Sequence, residues 1–290
     1  MPKFARQIKL DDTLTGLFLS SLLNGKYRVP NLNGDQQTLI SYISGRFLIS
    51  GFILNSCDFN LSHKSLTEQL KHQRKLQLLK QMSVKNDLNN IARNLNDKCI
   101  KHVVLKGAAL NADGIYPSGI RFSRDIDLLV QLDQLGEAYD VLKAVGFRYI
   151  NPKTQDSTKY HFFGHHFPPM INENNTQVEL HWRVTSQIAF KNCPFTENML
   201  SNRRISNTSP YIFCPKIDTT IAHLIHHGLT HHPMNLGPIF LFDLSAIFIF
   251  SNKKWLIDED LHKELGIEKN FELCKKIIER AHQEISFSSK

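Results

Sequence analysis

HVVLKGAALNADGIYPSGIRFSRDIDLLV, residues 102–130, decides how this chain is read. It opens on a short apolar run, Val103-Val104-Leu105, and passes through Lys106-Gly107 into a helix-compatible segment. It then turns at Tyr116-Pro117-Ser118-Gly119 and reaches Asp125-Ile126-Asp127 immediately before Leu128-Leu129-Val130. Side chains alternate along a strand, so Asp125 and Asp127 leave one face with Cα atoms about 6.6 Å apart. Two carboxylates converging there repel unless a cation lies between them. Hard divalent ions such as Mg²⁺ take carboxylate oxygens together with substrate phosphates, so the pair reads as a metal-nucleotide site. The bland alternative for an isolated Asp-x-Asp pair is a solvated strand end.

Working outward, Leu-Lys-Gly, then Tyr-Pro, then Arg121, then Asp-Ile-Asp-Leu-Leu-Val resembles the nucleotidyltransferases of the DNA polymerase β-like superfamily. The sequence is most similar to the bacterial group labelled "uncharacterised nucleotidyltransferase". The resemblance implies a strand, a Gly-rich turn, a helix, an Asp-x-Asp strand and a third carboxylate on a later strand. Here that carboxylate is Glu179, in Gln177-Val178-Glu179-Leu180-His181-Trp182. Superfamily members commonly carry Gly-Ser or Gly-Gly at the turn, whereas this chain has Gly107-Ala108. Phosphate contact then falls to Lys106 and to the backbone N–H groups of Gly107 and Ala108.

The same resemblance assigns Asp125, Asp127 and Glu179 to two Mg²⁺ ions, with Mn²⁺ as a substitute. Two such ions stabilise the attacking and leaving oxygens of an in-line displacement. The implied reaction moves a nucleoside monophosphate from an NTP to an acceptor hydroxyl and releases pyrophosphate. RNA ends, protein side chains and small molecules are all acceptors within the superfamily, which includes toxin-like members and tailoring enzymes. Arg121 and Arg124 are candidates for the phosphates or for pairing with an aspartate. His181, two residues from Glu179, shares its sheet face and either orients a carboxylate or packs beside Trp182. In the C-terminal part, His227, His231 and Asp243 match a His-x-x-x-His pattern followed by an aspartate, placing both histidines at the nucleotide. His223, His227 and His231 also recur at i, i+4, which invites a zinc reading, but the Glu of H-E-x-x-H is missing. A rival of another class is a nucleotide- or RNA-binding module of the same fold that no longer catalyses, for which Ala108 speaks.

The 290 residues suffice for a sizeable core, and a hydrophobic share of 41% with 21% charged residues is ordinary for a globular protein. A formal charge of +8 favours a polyanionic partner. Five scattered cysteines without a C-x-x-C pair argue against a disulfide framework and fit a reducing cytoplasm. The N-terminal residues lack the apolar run of a signal peptide, and Ile239–Phe250 is too short to span a bilayer, so no membrane association is expected.

Periodicity divides the chain into a helical region over 1–100, a strand-helix-strand region over 101–190, which the resemblance makes the nucleotidyltransferase core, and a second helical region over 191–290. The expected class is α+β, a mixed sheet with helices packed on it, flanked by helices. Leu66 to Leu95 carries an apolar stripe, and Leu132 to Val145 forms a helix that Gly146 stops. Tyr160 to Met170 and Thr176 to Val184 read as a strand pair around Asn172-Glu173-Asn174-Asn175. Ile221 to His231 reads as one helix.

Overall fold

The structure is a computed structural model that describes residues 12–23, 26–151, 164–185, 194–231, 237 and 239–288. Helices α1 (Asp12–Leu23), α2 (Gly34–Phe47), α3 (Ser50–Ser56) and α4 (Lys64–Asp97) come first, with strands β1 (Tyr27–Arg28) and β2 (Cys57–Asp58) paired in parallel among them. Then follow β3 (His102–Val104), α5 (Lys106–Ala112), β4 (Asp125–Val130), α6 (Leu135–Ala144), β5 (Arg148–Tyr149), β6 (Met170–Ile171) and β7 (Gln177–His181). Helix α7 (Pro194–Ser201), strands β8 (Arg204–Ile205) and β9 (Phe213–Cys214), and helices α8 (Ile217–Ile225), α9 (Ile239–Phe250), α10 (Glu259–Leu265) and α11 (Glu268–Ser288) complete the chain.

The expected α+β class is what the chain adopts. Five strands form a mixed sheet in the order β3-β4-β7-β6-β5, with β4 antiparallel to β3 and parallel to β7. Alternation along β4 divides its side chains between two cores. Ile126, Leu128 and Val130 face an apolar layer built from α4 (Val84, Leu88, Ile91, Leu95) and α6 (Ala138, Val141, Leu142). Leu129 turns the other way, with Val103 and Leu105, into a core shared with α1, α3, α8, α9 and α11. Asp125 and Asp127 leave β4 on this second face, so the carboxylates lie between the sheet and the flanking helices.

Local signals explain several element ends. Asn33 and Gln36 form a reciprocal capping box at the start of α2, and Leu48 in the left-handed region (φ 59°) ends it. Gly146 follows α6 with φ 93°, the conformation that glycine accepts without a Cβ penalty. The 172–175 turn closes through Thr176 N–H donating to Asn172 Oδ1, with Asn175 at φ 57°.

Three expectations meet a different structure. Helix α4 is a single helix, but Leu76 and Leu79 of its apolar stripe are exposed (55% and 57%). The stripe is buried only where α3 and the sheet lie beneath it. The strand expected over Tyr160 to Met170 falls mostly outside the described residues; its described end pairs only at Met170–Ile171 and through a bridge from His166 to His181. The helix expected over Ile221 to His231 is α-helical only to Ile225 and continues as one π-type turn, His226–His231. Gly228 lies within it, where an added Cβ would come within 2.7 Å of the Phe240 ring. The wider turn and the missing side chain let α9 approach closely. No described helix is long and apolar enough to cross a membrane.

Candidate active site

The parallel pairing of β4 and β7 sets the site. Its register places Asp125 opposite Gln177, Asp127 opposite Glu179 and Leu129 opposite His181. Residues opposed on neighbouring strands project side by side, so Asp127 and Glu179 emerge adjacent, with Asp125 and His181 one alternation away on the same face. His181 Nε2 lies 3.0 Å from Asp127 Oδ1 and 3.6 Å from Glu179 Oε2. Asp127, Glu179 and His181 each offer a ligand atom within 4.8 Å of the other two. The His181 ring is buried, and its Nδ1 has no hydrogen-bond partner among the described residues.

Lys106 approaches from the turn between β3 and α5, its ammonium 2.7 Å from the Asp127 Oδ1 that His181 also contacts. It sits at φ 52°, a left-handed conformation that costs a non-glycine residue on the order of 1 kcal/mol or more. The next residue has to be glycine, because a Cβ on Gly107 would lie 2.4 Å from Ser123 Oγ and 2.8 Å from the Arg121 guanidinium. Ala108, by contrast, points to the other side of α5. There it lines a larger cavity, about 200 Å³, with Leu78, Met82, Leu88 and Ile212 but none of the carboxylates. The hydroxyl beside the Lys106-Gly107 turn is therefore that of Ser123, a residue the sequence reading passed over.

Charge is unevenly compensated here. Burial opposes ionisation of Asp127, but the Lys106 ammonium and the His181 hydrogen bond hold its carboxyl well below the usual range. The His181 hydrogen bond also draws Glu179 down. Asp125, without such a partner, is pushed up to about 6 by burial and by the adjacent Asp127 carboxylate. Burial alone would lower His181, yet its two carboxylate partners raise it above an ordinary imidazole. Three carboxylates therefore face one ammonium and one imidazole. A divalent cation fits this set, since the oxygen and nitrogen donors already converge within ion-binding range and carry excess negative charge.

Asp125 and Asp127 also line a cavity of about 140 Å³ with Lys106, Gly107, Arg121, Ser123 and Arg124. Its remaining wall comes from Phe122, from Ile239 and from Arg46, Phe47 and Leu48 at the end of α2. Nothing in the helical periodicity of α2 marks those three residues as part of a site. Arg121 reaches the wall with its guanidinium already engaged. Its Nε and Nη2 donate to Asp243 Oδ1 and Oδ2 at 2.9 and 3.0 Å, and its Nη1 donates to the Phe122 carbonyl. Tyr116 donates to the same Asp243 at 2.9 Å. Asp243 thus partners Arg121 and Tyr116. Arg124 is exposed and donates to the Arg46 carbonyl at 3.2 Å.

Among the helix histidines, His223 is buried and sits within electrostatic reach of Lys106 and Asp127. Burial and then the neighbouring His227 push it well below the imidazole range, so it is neutral. His227 is half-buried with its ring 6.1 Å from that of His223. His231 closes the π-type turn, and its side chain falls outside the described residues. Among the described residues these histidines do not gather with other donors into a metal-sized group.

Comparison with known proteins adds the following. The family model described as "Uncharacterised nucleotidyltransferase" matches residues 53–280. No curated protein matches the chain. Among solved structures, the fold is similar to the solution structure of the antibiotic-resistance factor ANT(2'')-Ia, at 13% identity and a TM-score of 0.41, covering 72% of this chain and 98% of that one. It is also similar to the crystal structure of ANT(2'')-Ia in complex with adenylyl-2''-tobramycin, at 12% identity and a TM-score of 0.41, covering 68% and 98%. The matched span of 53–280 takes in the Lys106-Gly107 turn, both aspartates of β4 and the Glu179–His181 pair of β7. On that match the chain belongs to the family of uncharacterised nucleotidyltransferases.

Proposed function

We propose that this protein transfers a nucleoside monophosphate from a nucleoside triphosphate to an acceptor hydroxyl, releasing pyrophosphate. The observation that carries this reading is the in-register pairing of Asp127 with Glu179 beside a cavity lined by Asp125, Asp127 and Lys106. Asp125, Asp127 and Glu179 would hold Mg²⁺ or Mn²⁺, with His181 able to add a nitrogen ligand. The bound cations would neutralise phosphate charge and lower the pKa of the acceptor hydroxyl.

The protein's own groups supply the rest. Lys106 is half-buried and charged, and places its ammonium where a phosphate oxygen would meet it. The Gly107 and Ala108 N–H groups and the Ser123 hydroxyl offer further donors beside that turn. The depressed carboxyl pKa of Asp127 keeps it ionised as a ligand at neutral pH. His181 fixes the orientation of both Asp127 and Glu179 through one ring nitrogen. Arg121, tied to Asp243, shapes the wall and keeps a positive charge near Asp125. Arg124 and the helix histidines His227 and His231 would meet nucleotide or acceptor. The acceptor hydroxyl would belong to an RNA end, a protein side chain or a small molecule.

The test is to incubate the protein with each α-labelled NTP, a divalent cation and a cell lysate, then ask which fraction acquires label. Incorporation into one fraction, with pyrophosphate released and lost in Asp127→Ala, is the expected result. NTP binding by calorimetry with no label in RNA, protein or small molecules would overturn catalysis and leave a binding module.

A further inference from the structure

The cavity that Asp125 and Asp127 line also carries arginines, and one of them lies outside the part of the chain that matches the family. Its carboxylates are those of Asp125 and Asp127. Besides Arg121, its arginines are Arg46, at the end of α2, and Arg124. Arg46 and its neighbours lie outside the matched span of 53–280. Neither guanidinium has a carboxylate partner among the described residues. This contrasts with Arg121 and Arg204, which are engaged by Asp243 and Asp113.

The end of α2 is held in shape. Arg124 donates to the Arg46 carbonyl, which ties the end of α2 to the strand that carries the aspartates. The Arg46 guanidinium lies 5.8 Å from the centre of the Phe47 ring. That ring packs on Gly237, where a Cβ would fall 2.3 Å from it and where φ is +71°. Leu48 at φ 59° fixes how α2 ends. Two guanidiniums without carboxylate partners among the described residues, lining one cavity with Asp125 and Asp127, suit a ligand that carries several negative charges in a row.

We infer that Arg46 and Arg124 form a clamp for the polyphosphate tail of the nucleotide, of which Arg46 comes from outside the matched span of 53–280. The inference rests on the nucleotidyltransferase reading above and assigns the outer phosphates to a named pair. Guanidinium forks match phosphate oxygens in a bidentate way that an ammonium does not.

Inorganic tripolyphosphate with Mg²⁺ is a probe independent of base preference. Its dissociation constant, measured by calorimetry, should rise about tenfold or more in Arg46→Ala and in Arg124→Ala. Arg46→Lys should recover part of the loss, and orthophosphate affinity should change little. Arg28→Ala, an equal loss of charge at an exposed residue of β1 that does not line the cavity, should match wild type, and melting temperatures should show that each variant folds. Wild-type affinity in Arg46→Ala and Arg124→Ala, with affinity lost in Lys106→Ala, would overturn the clamp and leave the catalytic reading standing. Loss of affinity for single-stranded RNA with tripolyphosphate binding intact would also overturn it. No binding of tripolyphosphate or NTP by the wild type would bring down both.

Discussion

Two buried ionic clusters lie on either side of the Lys106-Gly107 turn, and they are balanced in opposite ways. Around Asp243 the account closes. One guanidinium meets both carboxylate oxygens, a tyrosine hydroxyl adds a third bond, and all three side chains come from elements that must stay together. Around Asp127 it does not close, because three carboxylates face Lys106 and His181 and one of them is pushed up to about 6. A closed cluster joins α9 to the loop before β4. An open one costs stability and persists where something else completes it. The difference separates a fastening from a site, although both are built from the same residue types.

The sharpest way to break this comparison is to remove one carboxylate from each cluster. Asp127→Ala should lower nucleotidyl transfer by at least about a hundredfold, since loss of even an outer partner of a metal ligand costs 10–100-fold. Its melting temperature should move little, because Lys106 keeps Asp125 and Glu179 as neighbours. Asp243→Ala should do the reverse. It strands the Arg121 guanidinium, and breaking a buried pair from one side costs about 3–5 kcal/mol. Chemical denaturation should show that loss, and replacing Arg121 with Met in the same chain should recover most of it. Equal destabilisation by both single variants would mean that the Asp127 cluster is also structural.

The sequence exposes the two clusters to different degrees, for a physical reason. Period-two alternation is local, so Asp125 and Asp127 can be placed on one face from residues 125–130 alone. Glu179 stands beside Asp127 only because β7 pairs in parallel with β4 in a particular register. Local pattern does not carry that information, and here it came through the resemblance. The partner of Arg121 lies 122 residues away, and the end of α2 reaches the cavity through tertiary packing that helical periodicity does not encode. Ser123 was hidden differently: the glycine at 107 removes the side chain that would otherwise separate that hydroxyl from the turn. The π-type turn at His226–His231 follows from the close approach of Phe240 to Gly228, which a regular spacing of histidines conceals.

A smaller effect sharpens the contrast through pH. Asp125 has its carboxyl raised from 3.8 to about 6 by burial and by Asp127. The folded protein therefore binds this proton more tightly than the unfolded chain does. The associated stability is fully present below about 3.8, and it is lost as pH rises through about 6. A change of that size corresponds to about 3 kcal/mol, which partial contact with water trims to about 2. Asp125→Asn removes the charge while keeping the shape. In the presence of a chelator it should thus be more stable than wild type at pH 7.5, by about 2 kcal/mol, and the gap should close by pH 4. Divalent cation should then reverse the order at pH 7.5, since saturating ligand at a hundred times its Kd adds about 2.7 kcal/mol to the protein that binds it. A variant no more stable than wild type in chelator would show that Asp125 is solvated, and the open cluster would then be no different in kind from any acidic strand end.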